Sequence, residues 1–172
     1  GAIHTYTKLF WINTGPFNNL TARKFVVETT PTAFGAAVVA AARAGARVTM
    51  LGAVGADDGG ELLLDTLRAA GVDVAQVQRV ETAATGTALI LVEDSGANAI
   101  AVAEGANLRC DAQAVRAAVR SAKPAVLLTQ REIPDDVTRA ALDACPPGCL
   151  RVMNASPLDE GDDLPLDVVD IL

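Results

Sequence analysis

LGAVGADDGGELLL, residues 51–64, sets four glycines and two aspartates between an apolar run of strand character and another of helix character. A phosphate-binding loop uses glycines for close backbone approach, a helix N-terminus aimed at the anion, and commonly a lysine. Strand, turn and helix are all suggested here, but neither G-x-x-x-x-G-K-[ST] nor G-x-G-x-x-G occurs. Asp57 and Asp58 fill the first helical turn, where they already complement the positive end of the helix dipole. A phosphate bound there would meet two carboxylates at close range, a repulsion of about 1 kcal/mol or more even in a well-solvated site. The stretch reads as a tight strand-to-helix turn.

Outward from that turn the pattern is regular. Upstream, AFGAAVVAAARAGA predicts an alanine-rich helix closed by Gly45 in a left-handed cap, followed by the strand RVTMLGAVG. Downstream, the helix begun by the acids closes on Gly71. TGTALILVEDSGANAIAVAE predicts two strands joined at EDSGAN. DAQAVRAAVRSA predicts a helix with Asp111 at its N-cap, then KPAVLLTQ a buried strand. IPDDVTRAALDAC predicts a helix, CLRVMN a strand, and LPLDVVDIL the start of one more element. Strands alternating with helices of ten to fifteen residues imply βαβ units and a parallel sheet. The hairpin at 86–103 interrupts the alternation and is expected to form a separate small β layer, with the opening 30 residues supplying its partner strands.

The 172 residues fit one domain, and 51% hydrophobic against 20% charged residues exclude disorder as the main state. The apolar runs reach about ten residues, short of the ~20 that span a bilayer. A formal charge of −7 argues against nucleic acid and anionic membrane as partners. Three cysteines without C-x-x-C, and no basic-then-apolar leader pattern, lead to the expectation of reduced thiols in a cytoplasmic protein. All six aromatics (Tyr6, Phe10, Trp11, Phe17, Phe25, Phe34) and the single histidine, His4, lie in the first 34 residues. That break marks the opening segment as distinct from the rest.

Other chemistry finds little purchase. One histidine cannot build a zinc cluster, and the cysteines lack metal-ligand spacing. Ser95, Ser121 and Ser156 lack the nucleophile-elbow setting, and the acids at 159–163 lack calcium-loop spacing. The acidic pairs 57/58 and 135/136 sit at helix starts, where capping explains them.

The run GARVTMLGAVGADDGGELLLDTLRAAGVDV resembles a hallmark stretch of the ribokinase-like (PfkB) carbohydrate kinases. The resemblance continues through TGTALILVEDSGANAIAVAEGAN, LLTQREIP and VMNASP, so that it covers residues 35 to 172. Within the family, the G-A-N after the second strand of the hairpin and Q-x-E-I-P are most similar to the ribokinase branch. The resemblance implies a doubly wound, Rossmann-like α/β sheet with a small β-sheet lid over the sugar. The lid would take in approximately 7–30 and 86–103, with 1–172 forming a single incomplete domain. It also implies ATP-dependent, Mg²⁺-assisted phosphoryl transfer to the hydroxymethyl group of a sugar such as D-ribose.

In that family the catalytic base is the Asp of a G-A-G-D helix start in the C-terminal half, and the adenine-binding loops lie there too. VVDIL falls before the family's N-E-x-E, so the expectation is an N-terminal half without catalytic base or ATP site, inactive as the 172-residue chain. Counted back from Gly45, Gly1 to Tyr6 fall where the family has G-S-I-N-x-D, which places His4 and Tyr6 at sugar-gripping Asn and Asp positions. PTAFGAAV then stands for G-G-K-G-A-N-Q-A, with Ala33 at the Lys and Ala36 at the Asn. Methyl groups cannot hydrogen-bond a sugar, and each partner lost from a buried polar site costs roughly 1–3 kcal/mol. Glu132 of QREIP remains as a matched sugar-binding residue, and Asn154 matches a strand end of the family. The alternative expectation is a non-catalytic interaction or regulatory fragment that forms a homodimer, or pairs with a full-length kinase, through the lid.

Overall fold

The computed structural model describes residues 24–28, 33–92, 97–156, 158 and 163–172. In chain order the elements are β1 (Lys24–Glu28), α1 (Ala33–Arg43), β2 (Gly52–Gly55), α2 (Asp58–Ala69), β3 (Val77–Val80), β4 (Thr87–Val92) and β5 (Asn98–Ala103). A 3-10 turn over Gly105–Arg109 leads to α3 (Ala112–Ala122), β6 (Val126–Gln130), α4 (Asp135–Asp143) and β7 (Leu150–Asn154). The strands form three groups: an antiparallel sheet in the order β1-β4-β5, a parallel pair β2-β3 and a parallel pair β6-β7.

Both parallel pairs are βαβ units, with α2 and α4 as the crossovers. All four residues of β2 are buried, as expected of a parallel strand covered on both faces. Its neighbouring residues show how it is covered. Ala53 packs in a cluster with Val115 and Val119 of α3 and Val137 and Ala141 of α4. Val54 packs with Val38 of α1 and Leu64 and Leu67 of α2. Successive strand side chains point to opposite faces, so α1 and α2 cover one side and α3 and α4 the other. That is the doubly wound arrangement. Leu64, 2% exposed, and Leu67 each contribute about 1.5–3 kcal/mol by burial.

The predicted hairpin forms, with Leu89 opposite Ala101 and Val92 opposite Asn98. β1, from the aromatic-rich opening, pairs antiparallel with β4 over Lys24↔Val92 to Glu28↔Ala88. The rest of the proposed lid span 7–30 lies outside the described residues.

Helix ends follow local rules in most places. Gly45 adopts φ 95° and Gly71 φ 84° just past their helices, the left-handed conformation that glycine takes without a Cβ penalty. Asp111 caps α3 by accepting from the Gln113 and Ala114 amides at 2.7 and 3.1 Å. One expectation needs correction. The N-cap of α4 is Pro134, without a side-chain cap; Asp135 and Asp136 lie in the first turn, where their charge meets the dipole. LPLDVVDIL forms turns and then begins one more element, a parallel bridge between Ile171 and Val152 on the edge of β7 away from β6. Asp170 holds that end in place, accepting from the backbone and the guanidinium of Arg151 at 2.7 and 3.1 Å. No helix among the described residues is long and apolar enough to cross a membrane.

Candidate functional site

The 55–60 turn is filled by the protein itself. Asp57 has extended backbone at the N-cap of α2, and its Oδ1 accepts from the Gly60 amide at 2.8 Å. The same carboxylate reaches across the chain to Thr85, accepting from its hydroxyl at 2.6 Å and from its amide at 2.8 Å. The Thr85 hydroxyl in turn accepts from the Gly55 amide at 2.9 Å. The Thr85 hydroxyl, ahead of smaller contributions from the Thr85, Gly60 and Gly59 amides, holds the Asp57 carboxyl below the usual carboxylate range against the opposing effect of burial.

The glycines serve this packing. A Cβ on Gly55 would stand 2.5 Å from the Thr85 amide nitrogen, and one on Gly60 would collide with the Gly55 carbonyl oxygen. Gly86 has the Asn107 side chain and the Glu104 carbonyl against it, and Gly105 the Ala84 carbonyl. The T-G of β4's approach and the G-A-N after β5 therefore lock together, with the Ala106 amide donating to the Ala84 carbonyl at 2.8 Å. The turn that looks like a phosphate loop is a clamp joining the antiparallel sheet to the sandwich.

A cavity of about 1700 Å³ opens beside this clamp. Thr85, Asn107, Gln130 and Glu132 are the polar residues that line it nearest the clamp and the end of β6, with Gly86 beside them. Glu132 is half-buried two residues past β6, and the Gln130 side-chain amide donates to its carboxylate. The apolar wall beside them includes Ile133 and Ala141. A carboxylate and two carboxamides around one cleft match the hydrogen-bonding needs of a polyol or sugar.

Of the other sequence-predicted site residues, His4 and Tyr6 lie outside the described residues. Ala33 and Ala36 are placed on α1 by the backbone. Asn154 ends β7, and its side-chain oxygen accepts from the Ser156 amide at 3.2 Å, a local turn bond. Sequence reasoning did not single out Thr85, Asn107 or Gln130 as lining one cleft. The signal was present, since T-G, G-A-N and Q-R-E-I-P were all visible as motifs, but their convergence is tertiary.

A phosphate finds a poor fit at the glycine turn. At the glycine turn, Asp57 and Thr85 already occupy the donors a phosphate would need. Among the described residues no group of three His, Cys, Asp or Glu side chains stands together to hold a metal. The thiols are poor ligands too: burial pushes the Cys110 thiol up to about 11, and burial together with the adjacent Cys149 pushes Cys145 up to about 12.

Residues 30–171 match the pfkB family carbohydrate kinase profile. The chain is 34% identical over 136 residues to ribokinase of Haemophilus influenzae, covering 78% of this chain and 44% of that protein. Among solved structures it is similar to ribokinase from Giardia lamblia, with a TM-score of 0.62 at 28% identity over 73% of this chain and 41% of that one. It is also similar to Arabidopsis thaliana ribokinase complexed with ribose and ATP, with a TM-score of 0.58 at 26% identity over 72% of this chain and 41% of that one. The chain spans less than half the length of these relatives.

Proposed function

The chain belongs to the pfkB family of carbohydrate kinases, and from that premise we propose that it carries the sugar-recognition portion of a ribokinase-type enzyme. The reaction is transfer of the ATP γ-phosphoryl group to a hydroxymethyl oxygen of a pentose such as D-ribose. The observation that carries this reading is the convergence of Glu132, Gln130, Asn107 and Gly86, the last directly before β4, on one cleft. Glu132 accepts hydrogen bonds from two sugar hydroxyls, and Gln130 orients its carboxylate. The antiparallel sheet serves as the lid, held at its root by the Asp57–Thr85 clamp. Nucleotide and Mg²⁺ binding, and the base that takes the hydroxyl proton, belong on this reading to the portion of the enzyme outside the 172 residues. No chemical step is assigned to the residues of the glycine turn.

The test is a coupled ATP-dependent phosphorylation assay over a panel of pentoses and hexoses, using the protein at its natural length. D-Ribose is expected among the best substrates. Glu132→Ala removes a charged acceptor worth about 1.5–3 kcal/mol, so the ribose KM should rise about 10- to 150-fold. A variant kinetically identical to wild type would remove Glu132 from the site, and silence across the sugar panel would sink the kinase reading. Ribose phosphorylation by the purified 172-residue chain alone would overturn the placement of the base and nucleotide site outside it.

A further inference from the structure

Cys145 and Cys149 bracket Pro146-Pro147-Gly148, the connection from α4 to β7. The Cys149 amide donates to the Pro146 carbonyl at 3.1 Å, and Gly148 takes φ 82°. Proline at the second position and a left-handed glycine at the third suit a type II turn, here over residues 146–149. That turn folds the chain back on itself and brings the two thiols into hydrogen-bonding contact. Each sulfur also has a backbone carbonyl within reach, Ala141 for Cys145 at 3.6 Å and Leu150 for Cys149 at 3.8 Å. Two adjacent prolines have already removed backbone freedom that closing the loop would otherwise cost, and the loop is short. The third cysteine, Cys110, is buried elsewhere, against the Gln78 side chain. Neither the sugar-facing cleft nor the Asp57–Thr85 clamp uses the 145/149 pair.

We infer that Cys145 and Cys149 form a reversible redox site, at which a small-molecule disulfide oxidises the pair to a disulfide within the chain. Exposure sets the order of attack, since Cys145 is half-buried and Cys149 only 5% exposed. The Cys145 thiolate attacks one sulfur of the small disulfide and expels the other as a thiolate. The Cys149 thiolate then attacks the Cys145 sulfur of that mixed disulfide and expels the second small thiolate. Two protein thiols are oxidised to one disulfide, one small disulfide is reduced to two thiols, and the two protons pass to the leaving sulfurs. Burial, then the hydrogen bond with Cys149, raises the Cys145 thiol to about 12, with Arg151 favouring the thiolate and Asp170 opposing it. Only the thiolate attacks, and its greater basicity restores part of the lost rate. The first step at neutral pH is then about 30- to 100-fold slower than for free cysteine. The site registers sustained oxidation and passes over a brief pulse. It lies at the other end of α4 from Glu132, so it stands or falls separately from the sugar-kinase reading.

The test titrates the purified protein with buffers of oxidised and reduced glutathione at pH 8. Each sample is followed until its composition stops changing, quenched in acid, alkylated and mapped by peptide mass. The expected product is a Cys145–Cys149 disulfide within one chain, with Cys110 still a thiol. Its midpoint should lie at a glutathione ratio at least about 10-fold less oxidising than that of the same protein unfolded in urea, because the turn holds the two sulfurs together. Cys149→Ser should stop at a mixed disulfide between Cys145 and glutathione, and Cys145→Ser should leave Cys149 a thiol. Equal midpoints in folded and unfolded protein would overturn the inference. So would a wild-type protein that keeps glutathione on Cys145, links two chains through these cysteines, or stays reduced at every ratio.

Discussion

The clamp between Asp57 and Thr85 makes a quantitative prediction. Asp57→Ala removes three accepted hydrogen bonds, from the Gly60 amide, the Thr85 amide and the Thr85 hydroxyl. Loss of the N-cap costs about 1 kcal/mol. The two bonds from Thr85 to a half-exposed carboxylate add about 1 kcal/mol each. The sum is about 3 kcal/mol, a fall in Tm of roughly 6–12 °C for a chain of this size. Thr85→Val keeps the amide contact but loses the hydroxyl, leaving the buried Gly55 amide without its acceptor, at a cost of about 1–2 kcal/mol. Both substitutions break the same hydroxyl–carboxylate bond, so the double variant should cost about 1 kcal/mol less than the two single costs together. Urea unfolding of the wild type, both single variants and the double variant measures the cycle. Additivity within about 0.5 kcal/mol would show that the two residues act independently and that there is no clamp. The carboxyl's native pKa is depressed, so its contribution is full above the unfolded value of about 4 and lost as pH falls through the lower native one. Asp57→Asn should therefore lose stability relative to wild type at pH 7 and converge on it in strong acid.

Three further outcomes follow from the packing. Gly60→Ala should destabilise by about 1–3 kcal/mol despite alanine's better helix propensity, because its Cβ meets the Gly55 carbonyl and Thr85; Gly71→Ala, with open space around it, should cost only the backbone strain of about 1–2 kcal/mol. Thermal melts of the pair check the order. Leu64→Ala should cost about 2–5 kcal/mol in urea unfolding, since the side chain is buried between α2 and β2. At pH 8 the Cys110 thiol, buried and raised to about 11, should alkylate with iodoacetamide at least about 100-fold more slowly than free cysteine, and unfolding in urea should restore the free rate.

The local rules in the sequence were sufficient for most of the elements. Alternating apolar runs, the left-handed glycines 45 and 71, and the Asp111 cap are decided within a few residues of themselves, so the βαβ pattern and the hairpin are legible without coordinates. β3 was not, because VQRV is four residues long and half polar, and becomes a strand only by pairing with β2. At the end of the chain the type of the element was likewise not legible: Ile171 and Asp170 are ordered by β7 and Arg151, not by their own neighbours. At the site, sequence reasoning excluded a phosphate cradle at 55–60 from the missing glycine motifs and the two acids. What occupies that turn instead, Thr85, lies 30 residues from Gly55, and a separation of that kind carries no periodic signal. The convergence of Asn107, Gln130 and Glu132 on one cleft is likewise a tertiary fact. Pairing between strands distant in sequence depends on where the chain returns, and no local propensity encodes that.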